Sequence, residues 1–497
     1  MNTFISALKN DTNYKYTENG AVAHKSTLNA VYDMFAFGAA YRNRTDEDCI
    51  LLFKNAFEED PVYALKCLFY MRDARGGAGE RRFFRTCAKW LAAEHTDAMK
   101  RNLQYVPEFG RWDDLYIFVG TPLEKDVFRL IKRQLALDVQ SKTPSLLAKW
   151  LKSENTSSPE SRKLGDLTRY YLNMTHREYR KTLSILRERI NVLERLMSAG
   201  RWDEIVFDKI PSKAGLIYKN AFARRDIIKA KYEAFAKDKN TKVNAKTLFP
   251  YEVVTQAHNL CYTDTTNRAM VNKYWENLEN VFNDEYTLNA MAIVDTSGSM
   301  TWGNSSIMPI DIAISLGLYC AEKAKGPFHG HYISFSRQPR LIATEGVDFV
   351  DKVNRIYRAN FCENTNLEAA FDLVLDTARR HHMKQSDLPE ALVVISDMEI
   401  DAARGGSFDC YYNYKKSTPI KTSMDLIREK WNRAGYKMPK LIYWNVEARN
   451  NTILDDGPDV TYVSGASPSI FKQIMTGKTG IDLMYAALDA ERYACIR

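Results

Sequence analysis

The sequence predicts a multidomain chain: an all-α helical-repeat solenoid or ring over residues 1–285, then a doubly wound α/β domain over 286–497. Three observations carry this. Helical patterns follow one another with little strand signal until about residue 285. From Ala290 onward, short apolar runs alternate with amphipathic stretches, as in an open, mostly parallel sheet. The charge also divides. Residues 1–250 hold 44 Lys and Arg against 31 Asp and Glu, a net +13, whereas 251–497 hold 26 against 31, a net −5. At 497 residues the chain exceeds one ordinary core.

The composition is globular, and no apolar run approaches the roughly 20 residues that span a bilayer. The N-terminus lacks the basic start and long apolar core of a signal peptide. The eight cysteines are scattered without a Cys-x-x-Cys pair. Reduced thiols in a cytoplasmic protein are therefore expected, and a disulfide or zinc framework is not.

Taken in order, residues 1 to about 30 read as a polar, irregular lead-in, with Thr27 or Asn29 near the first helix. Thr45-Asp-Glu-Asp48 has the form of a cap with first-turn acids, and Ile50, Leu51, Phe53 and Phe57 supply an apolar face. Pro61 to Met71 is a short buried helix. It runs into Arg72-Asp-Ala-Arg75-Gly-Gly-Ala-Gly-Glu-Arg81-Arg82, which is no Walker loop because Gly-Lys-Ser/Thr is missing. Two readings fit this stretch: a turn whose backbone N–H groups and arginines hold phosphate, or a tight interhelix turn with Asp73 paired to an arginine.

Gly110-Arg-Trp112-Asp recurs as Gly200-Arg-Trp202-Asp, each copy following one helix and opening the next. That is the logic of helix pairs stacked in a solenoid, with the tryptophans as packing residues. His176 to Met197 reads as one helix with a stripe of Tyr179, Leu183, Leu186, Ile190, Leu193 and Met197. Arg177, Lys181 and Arg195 then fall opposite that stripe. The next helix carries Lys213, Lys219, Arg224 and Arg225. If neighbouring units stack in parallel, these charges line one continuous surface that suits a polyanion.

In the C-terminal part, strands are expected near 290–295, 329–335, 340–344, 391–397, 440–446 and 459–463. Helices are expected near 308–323, 366–381, 420–434 and 467–475. The apolar run Ala290 to Val294 stops at Asp295, and Ser297 and Ser299 follow at alternate positions. Thr365 stands at the mouth of a later helix, and a second apolar strand, Ala391 to Ser396, ends on Asp397. Carboxylates and hydroxyls are hard oxygen donors that suit Mg²⁺, Mn²⁺ or Ca²⁺ better than zinc or copper. Residues 402–417, with Arg404-Gly-Gly406, read as an insertion beside Asp397.

This ordered trio resembles the metal-ion-dependent adhesion site of von Willebrand factor A domains. The resemblance implies a metal shell of Asp295, Ser297, Ser299, Thr365 and Asp397, with Mg²⁺ as the first choice and Mn²⁺ or Ca²⁺ as alternatives. It also implies a docking role in which a partner's acidic side chain completes the shell. Glu363 and Asn364 stand where that family carries glycines, which leaves the shape of the middle loop open.

Met71-Arg-Asp-Ala-Arg-Gly-Gly, the Trp-Asp motifs, Thr175-His-Arg-Glu-Tyr-Arg-Lys181 and the terminal adhesion-type domain together resemble a Ro-like family related to the TROVE module. In Ro proteins a ring of HEAT-like repeats binds non-coding RNA as a ribonucleoprotein, with single-stranded ends entering a basic central hole. The resemblance implies RNA-binding residues Arg75, Arg81, Arg82, His176, Arg177, Arg180, Lys181, Arg195, Lys213, Lys219, Arg224 and Arg225.

There is no His-Glu-x-x-His, Gly-x-Ser-x-Gly or Walker motif, and the eight histidines are dispersed. A non-catalytic RNA-binding protein is therefore the first expectation. A protein scaffold using the metal site to bind an acidic partner is the second. A metal-dependent nuclease is the third, although no second set of carboxylates and no evident base accompany the motif.

Overall fold

The computed structural model describes residues 12–282, 288–301, 307–335, 338–359, 366–400 and 422–497. Thr365 and the 402–417 insertion lie outside the described residues. Among the described residues no helix is long and apolar enough to cross a membrane.

The lead-in is not irregular throughout. Tyr14–Tyr16 (β1) pairs antiparallel with Val22–His24 (β2). The hairpin is fastened to the C-terminal domain, where Thr17 donates its hydroxyl proton to Ile400 O at 2.7 Å and His24 N donates to Ile453 O at 2.7 Å. Three-residue strands carry too little alternation to be read from sequence.

Helix α1 (Ala30–Phe37) is capped by Asn29, which accepts from Tyr32 N at 2.7 Å. Helix α2 (Asp46–Glu59) opens with a full capping box between Thr45 and Asp48. Its buried face is Cys49, Leu52, Phe53 and Ala56, whereas Leu51 is 57% exposed. The expected stripe was thus rotated by about one position, because α2 packs against α1 on one side and the next helices on the other. That next helix, α3 (Pro61–Arg72), is buried almost all round, as its apolar run predicts.

The helical run continues through α4 (Arg82–Glu94), α5 (Glu124–Gln140), α6 (Pro159–Leu172) and α7 (His176–Arg189). The long helix expected to reach Met197 is broken. Asn191 adopts a left-handed φ of 48°, a conformation asparagine tolerates, and α8 (Leu193–Ser198) starts afresh. Helices α9 (Ser212–Arg224), α10 (Asp226–Lys237), α11 (Pro250–His258) and α12 (Thr265–Glu276) complete this part. Both Gly-Arg-Trp-Asp copies open short 3-10 turns rather than α-helices, with Trp202 buried and Trp112 half-buried.

The C-terminal part is a six-stranded mixed sheet flanked by helices. Its strands are β3 (Ala290–Asp295), β4 (His331–Phe335), β5 (Arg340–Ala343), β6 (Ala391–Ser396), β7 (Lys440–Asn445) and β8 (Val460–Ser464). They lie in the order β5-β4-β3-β6-β7-β8, parallel except for the edge strand β5. Every residue of β6 is buried, as a strand covered on both faces requires. Helices α13 (Pro309–Lys323), α14 (Phe349–Ala359), α15 (Leu367–Arg380), α16 (Ser423–Arg433), α17 (Ile470–Ile474) and α18 (Gly480–Leu488) surround the sheet. Of these, α14 and α18 were not expected.

Both ends of the helical run land on the sheet domain. At one end, Tyr462 N in β8 donates to the Tyr32 hydroxyl of α1 at 2.8 Å, and Arg492 and Tyr493 donate to the buried Asp73 at the end of α3. At the other end, Thr255 of α11 donates to Asp311 of α13 at 3.1 Å, and Trp275 of α12 stacks on Phe349 of α14 at 4.2 Å. The turn after α3 also comes close to the start of α11: a side chain at Gly79 would come within 2.5 Å of Phe249, the residue before that helix. The helices therefore close on the sheet domain as a ring.

Candidate functional site

Among the described residues, polar side chains gather at the carboxyl end of the sheet and on the inside of the ring.

At the sheet, β3 runs to one neighbour and β6 to the other, so their carboxyl ends form the topological switch point where open α/β sheets bind ligands. The register Val294↔Ile395 puts Asp295 level with Ser396 and Asp397 one residue further on, just past the last pair of this ladder. Both carboxylates are fully buried. Asp295 Oδ1 accepts from Ser297 N at 2.9 Å, and the Ser297 and Ser299 hydroxyls lie 3.0 Å apart. Ser396, which sequence reasoning passed over as the end of an apolar strand, donates its hydroxyl to Asp295 Oδ2 at 2.6 Å. Burial, reinforced by the facing Asp397, pushes the Asp295 carboxyl up to about 7. Two buried carboxylates with two hydroxyls are a donor set short of positive charge, and this fits a hard divalent cation.

Part of that charge comes from Arg449, on the loop after β7, which no motif marked. Its guanidinium pairs with Asp397 and donates to Ser299 O at 3.0 Å. It also lies 3.4 Å from Glu18 on the β1–β2 hairpin, which partly roofs this end of the sheet.

Inside the ring lies a cavity of 1940 Å³. Among the described residues its wall carries thirteen Lys and Arg against six Asp and Glu, which settles the sign of its field. The densest part surrounds Asp113 and Asp114, just after the first Gly-Arg-Trp. Arg72 holds the buried Asp114 at 2.7 Å and Arg85 holds it at 2.6 Å. Asp113 Oδ2 receives Arg81 at 2.9 Å, Arg85 at 3.1 Å and Arg111 at 3.2 Å. Arg111 also stacks over Trp150 at 4.2 Å. Sequence reasoning marked Arg72 only as part of the Gly-rich turn and missed Arg85 and Arg111; the doubled Asp after Trp112 was the one signal available.

The sequence-derived basic residues divide. Arg75, Arg81, Arg82, Arg180, Arg195 and Lys213 line the cavity. Arg177, Lys181 and Arg224 are exposed but not on its wall, so the single continuous surface expected through them is corrected. The cavity opens on the flank of α7, and residues about 100° round from Tyr179 face it, not those opposite. His176 is exposed at the start of α7 and meets Glu154 at 2.9 Å. Arg225 packs on Trp202 at 4.4 Å. Lys219 is a correction: it is buried, donates to Gln256 at 2.5 Å, and its ammonium is held below its ordinary pKa by desolvation.

The Gly-rich stretch after Arg72 is the interhelix turn. Asp73 pairs with Arg492 and accepts from Arg75 N at 3.0 Å, while Gly77 N, Ala78 N and Glu80 N are spent on the end of α3. A side chain at Gly77 would come within 2.1 Å of Tyr70 O, so the turn requires glycine there.

Two family profiles match the chain. The one described as Domain of unknown function (DUF2828) matches residues 17–145 and 134–288, and the one described as Domain of unknown function (DUF7788) matches 289–491. The chain is 30% identical over 513 residues to "Uncharacterized protein L728" of Acanthamoeba polyphaga mimivirus, covering 94% of this chain and 85% of the relative. It is also similar to the crystal structure of the Deinococcus radiodurans RO (RSR) protein. That likeness spans 91% of this chain and 100% of the other, at 14% identity and a TM-score of 0.41, too loose to compare residues. With its helical part matched from end to end and a relative aligned along nearly all of its length, the chain belongs to the DUF2828 family.

Proposed function

We propose that this is a non-catalytic RNA-binding protein of Ro type, which holds single-stranded RNA ends inside its ring. One observation carries the reading: the excess of Lys and Arg on the wall of the central cavity. A wall with this charge attracts phosphates without reading bases, so selection would come from RNA shape and free ends. Trp112 and Trp150, both on the wall, offer ring faces beside the arginines.

The von Willebrand factor A-like reading of the sheet domain is part of the same proposal. Asp295, Ser297, Ser299 and Asp397 would hold a divalent cation, Mg²⁺ first. When bound, that cation supplies a positive docking point for a carboxylate. Arg449 favours a second reading, a scaffold that binds an acidic protein partner, because beyond its pairing with Asp397 it already draws an exposed carboxylate, Glu18, to within 3.4 Å.

The deciding experiment measures binding of the full chain to labelled single-stranded RNA and to an acidic peptide across a salt series. RNA binding with a log–log salt slope steeper than about −2 supports the first reading. Peptide binding that needs Mg²⁺, with no RNA bound at low salt, would replace it with the second.

A further inference from the structure

The cluster around Asp113 and Asp114 has a charge imbalance that narrows what the cavity holds. Four guanidiniums, from Arg72, Arg81, Arg85 and Arg111, share two carboxylates, which leaves two positive charges over. Of the nearby carboxylates on the wall, Glu80 lies 3.4 Å from Arg42 and Glu154 2.7 Å from Arg169, while Glu108 is exposed and forms no ion pair with the four arginines. Arg72 and the two aspartates are buried and fix the frame. Arg81 is 43% exposed and Arg111 32%, and both face the cavity. Burial first, and then the neighbouring Arg111 and Arg85, hold the Arg81 guanidinium below its ordinary pKa. The wall beside Arg111 continues as Lys149 and Trp150.

Resting on the RNA-binding reading, we infer that this cluster is a subsite for the terminal phosphate monoester of a single-stranded RNA. A phosphodiester carries one negative charge, whereas a terminal monoester carries about −1.5 to −2 at neutral pH and offers three acceptor oxygens. The monoester matches the two surplus charges and can take paired N–H bonds from Arg81 and Arg111, the geometry guanidinium favours. Trp150 would lie beside the first nucleotide.

The test uses the full chain and one short uridine oligomer in three forms: 5′-phosphate, 3′-phosphate, and hydroxyl at both ends. Fluorescence anisotropy at fixed ionic strength should show one phosphorylated form bound about tenfold tighter than the hydroxyl form, and which one identifies the end. The double variant Arg81→Gln/Arg111→Gln should lose that preference while still binding the hydroxyl form. Lys132→Gln/Arg133→Gln, which removes two exposed charges away from the cavity wall, should keep it. Equal affinity of the wild type for all three forms overturns the subsite and leaves the RNA reading standing. Loss of binding to every form overturns both.

The double variant leaves two guanidiniums on two carboxylates, so its unfolding midpoint should hold. Inorganic phosphate at matched ionic strength should raise the wild-type midpoint and not that of the variant. A rise of equal size in both would also overturn the inference.

Discussion

Arg449 and Asp114 show at the scale of one residue what buried charge requires. Asp397 is fully buried beside Asp295, and Arg449 is its counter-ion. Replacing Arg449 with Ala leaves two buried carboxylates unpaired, so the metal-free protein should lose about 3 kcal/mol. Mg²⁺ should then restore much of that stability and bind more tightly than to the wild type, which urea unfolding with and without Mg²⁺ would measure. A variant that loses nothing, or that Mg²⁺ does not rescue, would count against the metal site. For Asp114, burial alone would raise the carboxyl, but the guanidiniums of Arg72 and Arg85 outweigh it and hold the group below its ordinary value of 3.8. A depressed carboxyl stabilises the fold above its unfolded pKa and loses that effect as pH falls through the folded one. Asp114→Asn should therefore cost about 3–5 kcal/mol at pH 7, with the gap to wild type closing below about pH 4. A gap that does not change between pH 7 and pH 3 would mean the loss is one of packing.

Among the elements, α7 is where the two accounts of the basic surface part. Tyr179, Leu183 and Leu186 are buried as their spacing dictates. The direction of the cavity, however, is set by what packs beside the helix. Arg187 shows this: it donates to Ala148 O at 2.8 Å and Leu151 O at 2.9 Å, drawing the preceding loop against one flank of α7. Arg180, on that flank, faces the cavity, and Arg177 and Lys181 do not. Arg180→Glu should weaken binding of short single-stranded RNA about tenfold, whereas Arg177→Glu with Lys181→Glu should weaken it less than about threefold. Neither change should move the unfolding free energy by more than about 1 kcal/mol, since all three side chains are exposed. Anisotropy on the three proteins decides it; a larger effect at Arg177 and Lys181 would place the RNA outside the ring.

For the whole molecule, ring closure makes the sheet domain part of the helical half's stability. Gly79 has a φ of +71° and faces Phe249 across the join between the turn after α3 and the start of α11. Gly79→Val would be strained at the backbone and would collide with that ring. It should destabilise the full chain by about 2 kcal/mol or more and weaken RNA binding with it. Thermal unfolding and anisotropy on the same samples would test this; a stable variant with normal binding would show that the join is not needed.

Sequence alone determined the split into a helical and a sheet part, the six strands of the large sheet and the oxygen-bearing residues at two of their ends. An apolar strand that stops on an aspartate needs only its own neighbours to be recognised, which is why β3 and β6 and the oxygens after them were legible. The cap at Thr45 was legible for the same reason. Tertiary structure decided everything that depends on a distant neighbour. Lys219 reads as surface charge until α11 covers it and Gln256 takes its ammonium. Arg449 has no motif and reaches Asp397 only because β7 lies beside β6. The surplus of arginine over Asp113 and Asp114 draws on four separate positions in the first 111 residues, which α3, α4 and the Gly-Arg-Trp turn bring together. Local periodicity fixes which face of a helix is apolar. Which of the remaining directions opens on a cavity depends on the packing of the whole ring.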